Sequence, residues 1–189
     1  MCMNHPESFR GYLLIAPPKI GDKRFANTVI LVVNHSSVGA WGVVVNKPIA
    51  NITVKHVFEK AGVSNTLGGV IHAGGPVNNQ TVHLLHTSEV AGGETIYITD
   101  EVSMSNDMDF IVQMSRGIMP NKFKAFLGAC SWGPGQLEGE IRGESPWSSK
   151  HSWLYMPADA DLIFDLTGIE QWQEAVQRTA KTAVRDWMV

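Results

Sequence analysis

Cysteine is scarce in this chain: 189 residues contain two, Cys2 and Cys130. Two cysteines at opposite ends make no disulfide framework, so a reducing compartment is the simpler setting. Long apolar runs are missing. No stretch approaches the roughly 18 residues that a membrane helix needs. The first residues carry Asn4, His5 and Glu7, with no apolar segment of the secretory kind. The chain reads as soluble and cytoplasmic, with no membrane role. Charge of one sign is also short, with 15 Lys and Arg against 18 Asp and Glu, a net of −3. That balance gives no electrostatic reason to expect nucleic-acid binding. Cys-x-x-Cys, His-Glu-x-x-His, Gly-x-Gly-x-x-Gly and P-loop spacings are all absent, so no cofactor or metal is expected.

What is present is an ordinary globular composition, 44% apolar and 17% charged. That is enough core for one domain without disulfides or a structural metal. Residues 1–10 are expected to form a disordered or frayed terminus and residues 11–189 a single domain. The charge is uneven along the chain. Residues 1–60 hold 7 basic and 3 acidic side chains, a net of +4; residues 61–189 hold 8 and 15, a net of −7. Interleaving in space would average this out. A direct nucleic-acid contact through the basic N-terminal third is the alternative.

The first half is rich in strand signals. Tyr12-Leu13-Leu14-Ile15-Ala16 is closed by Pro17-Pro18, and Thr28-Val29-Ile30-Leu31-Val32-Val33 reads as a buried strand. Trp41-Gly42-Val43-Val44-Val45 completes a hairpin that ends at Asn46-Lys47-Pro48. Residues 53–61 have helical spacing, stopped by Gly62. Strands are expected at residues 70–73, 81–86, 95–98 and 123–128. A helix is expected from Ser105 as N-cap to Gly117, a short one over 136–141, and a last one over 169–187. Strands and helices do not alternate regularly, which favours α+β over a doubly wound sheet.

Few constellations carry chemistry. His83 and His86 sit in a strand pattern that sends them to opposite faces, which argues against a shared metal. Gly74-Gly75-Pro76 is expected to form a tight turn that lets two backbones approach; an anion nest is the functional alternative. Ala129-Cys130-Ser131-Trp132-Gly133 is one residue away from a nucleophile elbow, with Ala129 in the first glycine's place. In that reading Ser131 or Cys130 is the nucleophile of a hydrolase, and His151 is the one histidine that follows it. Glu138 and Glu140 are two apart, so on a helix they cannot share a proton. One of them is expected to cap or pair internally, with Trp132 filling a core niche.

Several blocks in order resemble one family. They begin with Gly11, Leu13-Leu14-Ile15-Ala16-Pro17, Asp22, Phe25 and Thr28-Val29-Ile30. They continue with His35, Gly39-Ala40, Gly42, Asn46-Lys47-Pro48, Gly74-Gly75-Pro76-Val77 and Leu85-His86. The most specific block is Leu127-Gly128, Trp132-Gly133-Pro134-Gly135-Gln136-Leu137-Glu138, Glu140-Ile141 and Trp147. Together they resemble the AlgH/YqgE family of bacterial proteins across roughly residues 10–175. The chain departs from that family's usual residues at Asn34, Ala129 and Ser145-Pro146. The resemblance implies a compact α+β domain with a mixed, mostly antiparallel sheet or small β-barrel flanked by helices. Through the name AlgH it implies regulation of transcription. It supplies no catalytic residue and no cofactor.

No helix-turn-helix pattern or run of Lys and Arg supports direct DNA binding. A protein or small-molecule partner is therefore the expected route of regulation. Asp22, Phe25, His35, Asn46, Trp132, Gln136 and Glu138 are expected to line one binding cleft.

Overall fold

The computed structural model describes residues 6–60, 62–64, 67–146 and 153–187, with side chains to residue 182. Cys2, Trp147 and His151 fall outside them. The N-terminal strand β1 (Tyr12–Ile15) pairs antiparallel with β2 (Val29–Ser36), and β2 with β3 (Gly39–Val44). Val29 to Val33 are all fully buried. Leu31 and Val33 face one apolar cluster, Ile30 and Val32 another. A strand covered on both faces has no polar side to present, hence its unbroken β-branched run.

The chain then forms β4 (Pro48–Thr53), α1 (Val54–Lys60), β5 (Val70–Ala73) and β6 (Val77–Thr87). After β7 (Ile96–Tyr97) and β8 (Val102–Ser105) comes α2 (Met108–Ser115). The expected cap at Ser105 is corrected here. Ser105 ends β8 with its hydroxyl bonded to His86 and Thr95, and Asp107 caps α2 by accepting from Phe110 N–H at 2.7 Å. Gly117 follows in the left-handed region, where the helix stops.

The long strand β9 (Phe123–Trp132) organises the sheet. Its first half pairs with β6 and, in parallel, with β5; its last three residues pair with β3. Helix α3 (Gln136–Arg142), strand β10 (Leu154–Pro157), α4 (Ala160–Phe164) and α5 (Gly168–Trp187) complete the chain. The sheet runs β10-β1-β2-β3-β9-β6-β8-β7, with β4 and β5 attached beside β9. It is curled and mostly antiparallel, an α+β half-barrel with five α-helices among the described residues. Helices α4 and α5 cover one face. Helix α3 covers the other face of β1–β3, and α1 with α2 cover the β5–β6–β9 region. Phe9, within the ten residues read as a terminus, is buried against the α3 side.

Strand β9 serves both halves of the sheet because it bends at Gly128, whose φ is +76°. Gly74-Gly75 lies directly against this bend. A Cβ on Gly74 would stand 2.2 Å from the Gly128 carbonyl oxygen, and one on Gly75 2.2 Å from the Ala129 carbonyl. The expected close backbone approach is what the structure holds. The Gly74 N–H donates to Leu127 O, and its carbonyl accepts from Val44 N–H, both at 2.8 Å.

Gly74→Ala is expected to cost about 3 kcal/mol or more, since backbone and not a flexible side chain must yield. Gly93→Ala, where a Cβ meets nothing within 4 Å, should stay within roughly 0.5 kcal/mol. Urea denaturation of the two variants checks the contrast.

Candidate functional site

Helix α3 starts just after β9 ends, and the turn between them gathers several of the sequence-predicted residues. Gln136 Oε1 accepts from Gly133 N–H at 3.1 Å, which fixes the start of α3. Gln136 Nε2 donates to Glu140 Oε1 at 2.9 Å, one helical turn on. Glu140 Oε2 accepts from the indole N–H groups of Trp132 at 3.0 Å and Trp153 at 2.8 Å. Glu140 is 2% exposed. A buried carboxylate persists where donors surround it, and here three converge. This is the internal pairing expected of one glutamate, and Trp132 does fill a core niche.

Glu138, on another side of α3, points to β2. Its Oε1 lies 3.1 Å from His35 Nε2, off the line of a well-aligned hydrogen bond. The Phe9 N–H donates to His35 Nδ1 at 3.0 Å, which places the ring proton on Nε2, facing Glu138.

Phe25 packs edge-on against Trp153 at 5.5 Å. Beside it, Asp22 caps the 3-10 turn Lys23–Phe25 and holds the Arg24 guanidinium at 2.6 Å. Phe25, Trp132 and Gln136 line one cavity of about 190 Å³, together with Arg24, Ser131 and Glu140. A second hollow of about 380 Å³ shares Arg24, Phe25 and Pro76 with it and adds Lys47.

Thus three of the seven expected residues meet directly at the cleft, and Asp22 contributes by holding Arg24. His35 and Glu138 form a separate pair. Asn46 lies elsewhere: its buried amide accepts from Val29 N–H at 2.9 Å and donates to Asn27 O and Gly168 O at 2.8 and 2.9 Å. It ties the start of α5 to the β2–β3 region, with both amide N–H groups spent on backbone carbonyls.

The elbow reading of Ser131 is corrected by its backbone. Ser131 lies inside β9, paired with Trp41, and not on a strand-to-helix turn. Helix α3 begins five residues later, behind Gly135. Cys130 is buried with its Sγ 3.6 Å from Gly74 O, and burial pushes its thiol up to about 12. Such a thiol holds almost no thiolate at neutral pH. Among the described residues, no hydrogen bond joins a histidine to Ser131 or Cys130.

His83 and His86 face opposite sides of β6, as their spacing requires. His83 bonds Asn106 and lies against Trp41; His86 bonds Ser105 and stacks on Phe110. Among the described residues, no group of three His, Cys, Asp or Glu is placed to hold a metal, and no helix is long and apolar enough to cross a membrane.

Sequence reasoning missed a third cavity, of about 300 Å³, between β5, β9 and the α4–α5 turn. His72 and Lys124 line it, 4% and 9% exposed. The available signal was a single charge inside the apolar run Phe123-Lys124-Ala125-Phe126. Burial pulls the His72 imidazole down to about 4, helped by the Lys124 charge and opposed by backbone acceptors at Ala125 and Val70. Burial pulls the Lys124 ammonium down to about 8, opposed by the Asp165 charge.

An α+β protein with a half-barrel sheet and a motif-lined cleft beside its third helix is the class these observations define. The family model for AlgH-like proteins matches residues 13–183, and the chain belongs to that family. A UPF0301 protein of Sphingopyxis alaskensis is 33% identical over 172 residues, covering 90% of this chain and 88% of the relative. One from Thiobacillus denitrificans is 34% identical over 169 residues, covering 88% and 87%. The solution structure of the AlgH protein from Pseudomonas aeruginosa superposes with a TM-score of 0.75 at 30% identity, covering 95% of this chain and 93% of that one. A Corynebacterium diphtheriae protein, DIP2367, shares the fold with a TM-score of 0.70 at 23% identity, covering 93% and 90%.

Glu140→Ala should cost about 3 kcal/mol or more, because it strands two indole N–H groups and an amide. Denaturation monitored by tryptophan fluorescence checks this. His72 gives a pH prediction. The folded imidazole binds its proton near 4 and the unfolded one near 6.5. Its contribution is therefore full above 6.5 and is lost as pH falls towards 4, on the order of 3 kcal/mol. His72→Gln should flatten that part of the stability–pH curve.

Proposed function

We propose that this protein is a regulator of transcription that acts through a bound partner, protein or small molecule, at the cleft beside α3. The observation that carries this reading is the meeting of Phe25, Trp132 and Gln136 around one cavity, with the Arg24 guanidinium exposed at its rim. Glu140 is already occupied by internal donors. A ligand there meets aromatic faces, the Gln136 amide and one cation, Arg24, whose side chain stays exposed although it pairs with Asp22; these suit a partner with an acidic group and an apolar portion.

Direct nucleic-acid contact through the basic third is less well supported. Of its seven cations, Arg24 is held by Asp22, and Lys55 lies 3.8 Å from Glu59. Arg10 donates to Tyr97 O and Lys47 to Ala26 O. One exposed cation can serve a small cleft, whereas nucleic-acid binding draws on many at once, and four of the seven are already turned to internal partners.

Two measurements test the proposal. Affinity capture from native cell extract should recover a partner with the wild type and with Gly93→Ala. Arg24→Glu, a change at an exposed side chain, should retain it at least tenfold less. Equal recovery on Arg24→Glu would remove the cleft from the function. On DNA-cellulose the protein should pass unretained at low salt; salt-dependent retention would favour the nucleic-acid reading instead.

A further inference from the structure

The cavity at Lys124 is chemically unlike the cleft at Trp132. Lys124 lies on the face of β9 that looks towards α4 and α5, and its Nζ donates to the Leu166 carbonyl at 2.6 Å. No carboxylate is within ion-pair distance of it among the described residues. Asp165, at the same cavity, is engaged by Lys122 at 2.7 Å on the exposed side. The Asp165 charge partly offsets the burial of the ammonium, but a carboxylate beyond ion-pair distance and already engaged by Lys122, with one carbonyl dipole, neutralises it incompletely.

A second observation points the same way. His72 stands beside Lys124 on the neighbouring strand β5, its ring against Phe126 at 5.3 Å. Its ring has backbone acceptors at Ala125 and Val70, and its Nε2 lies 3.5 Å from the Thr167 hydroxyl, which stands at the same hollow. Lysine, imidazole and hydroxyl thus line one hollow. Its remaining walls include Val54, Val70, Phe123 and Phe164. Gly68 stands at the same hollow, and a Cβ there meets nothing within 4 Å, so open space adjoins it.

We propose that this cavity is a binding site for a small organic acid, whose carboxylate pairs with the Lys124 ammonium and accepts from the Thr167 hydroxyl while its apolar body lies against Val54, Val70 and Phe164. The depressed lysine fits the assignment, since an ammonium denied water gains most from an anion that replaces it. At about 300 Å³ the hollow is at the small end of ligand pockets, which limits the ligand to a short chain or a single ring. The site is separate from the Arg24–Phe25 cleft, and either can fail without the other.

The test uses the full chain, isotope-labelled, titrated with hexanoate and with hexanamide, its uncharged counterpart. Hexanoate should shift the amide signals of Val70, His72, Lys124 and Thr167 to saturation, and hexanamide should bind at least tenfold more weakly. Lys124→Met keeps the apolar stem and should lose hexanoate binding at least tenfold while keeping a folded spectrum. Thr167→Val is the second variant, expected to weaken binding several-fold, and it decides the matter if Lys124→Met does not fold. Equal binding of acid and amide overturns the proposal. So does unchanged binding by the variants, or a response confined to Arg24 and Lys47. Pyruvate with sodium borohydride probes the competing chemistry: a reduced adduct on Lys124 would mean an imine and would also overturn it.

Discussion

The architecture turns on a backbone contact that only glycine permits. At Gly74-Gly75 and Gly128 two chain segments pass so closely that an added Cβ would sit within 2.2–2.5 Å of a carbonyl oxygen at each of the three positions. The contact bends β9 so that one strand supplies the edge for β5 and β6 and then the edge for β3. Both cavities depend on that bend. Trp132, at the far end of β9, is delivered to α3 and the Phe25 cleft; Lys124, near its start, is delivered beneath the α4–α5 turn. Glycine lowers intrinsic strand stability. Here that cost is offset by hydrogen bonds from both sides of the Gly74 peptide.

A few buried polar side chains then fix how the helices sit. Asn46 joins β2, the turn before it and the start of α5 through three backbone bonds. Glu140 joins α3 to the end of β9 and to Trp153. Trp172 on α5 donates to Ala16 O at 2.7 Å, tying that helix to the end of β1. Apolar packing alone tolerates sliding, whereas each of these bonds has one geometry. Motif residues such as Asn46 and Glu140 are thus accounted for by what they hold together, whereas Phe25, Gln136 and Arg24 line the cavity beside α3.

Much of this was legible in the sequence where local chemistry dominates. The β-branched run at residues 29–33 announced a buried strand, which the structure covers on both faces, and Gly74-Gly75-Pro76 announced a close backbone approach. The spacing of Glu138 and Glu140 showed that they do different things, and one does pair internally. Other features depend on distant residues. Strand β4 contains Asn51 with φ +64° and pairs irregularly with β5, so no alternation marks it. Strand β10 and α4 are four and five residues long, too short for periodicity to separate from loop. Ser105 is as good a cap as Asp107 by residue type. Only the extension of β8, which commits its hydroxyl to His86, removes it from that role. Of the seven expected site residues, Asn46 could not be set apart by sequence, because its partners Asn27 and Gly168 are 19 and 122 positions away.

The two ends of β9 show opposite ways of burying a charge. At Glu140 the donors come from the protein itself: two indoles and an amide meet one carboxylate, and the group is a structural hub. At Lys124 the protein supplies one hydrogen-bonding carbonyl and the more distant Asp165 charge, which Lys122 already engages, and leaves a hollow beside the ammonium. If Lys124 were there only to anchor the α4–α5 turn, an uncharged donor would do so without the desolvation of an ammonium. A lysine at that position is costly for the empty fold and becomes favourable once an anion enters. That asymmetry, and not the size of either hollow, separates a side chain that completes the core from one that is incomplete without a ligand.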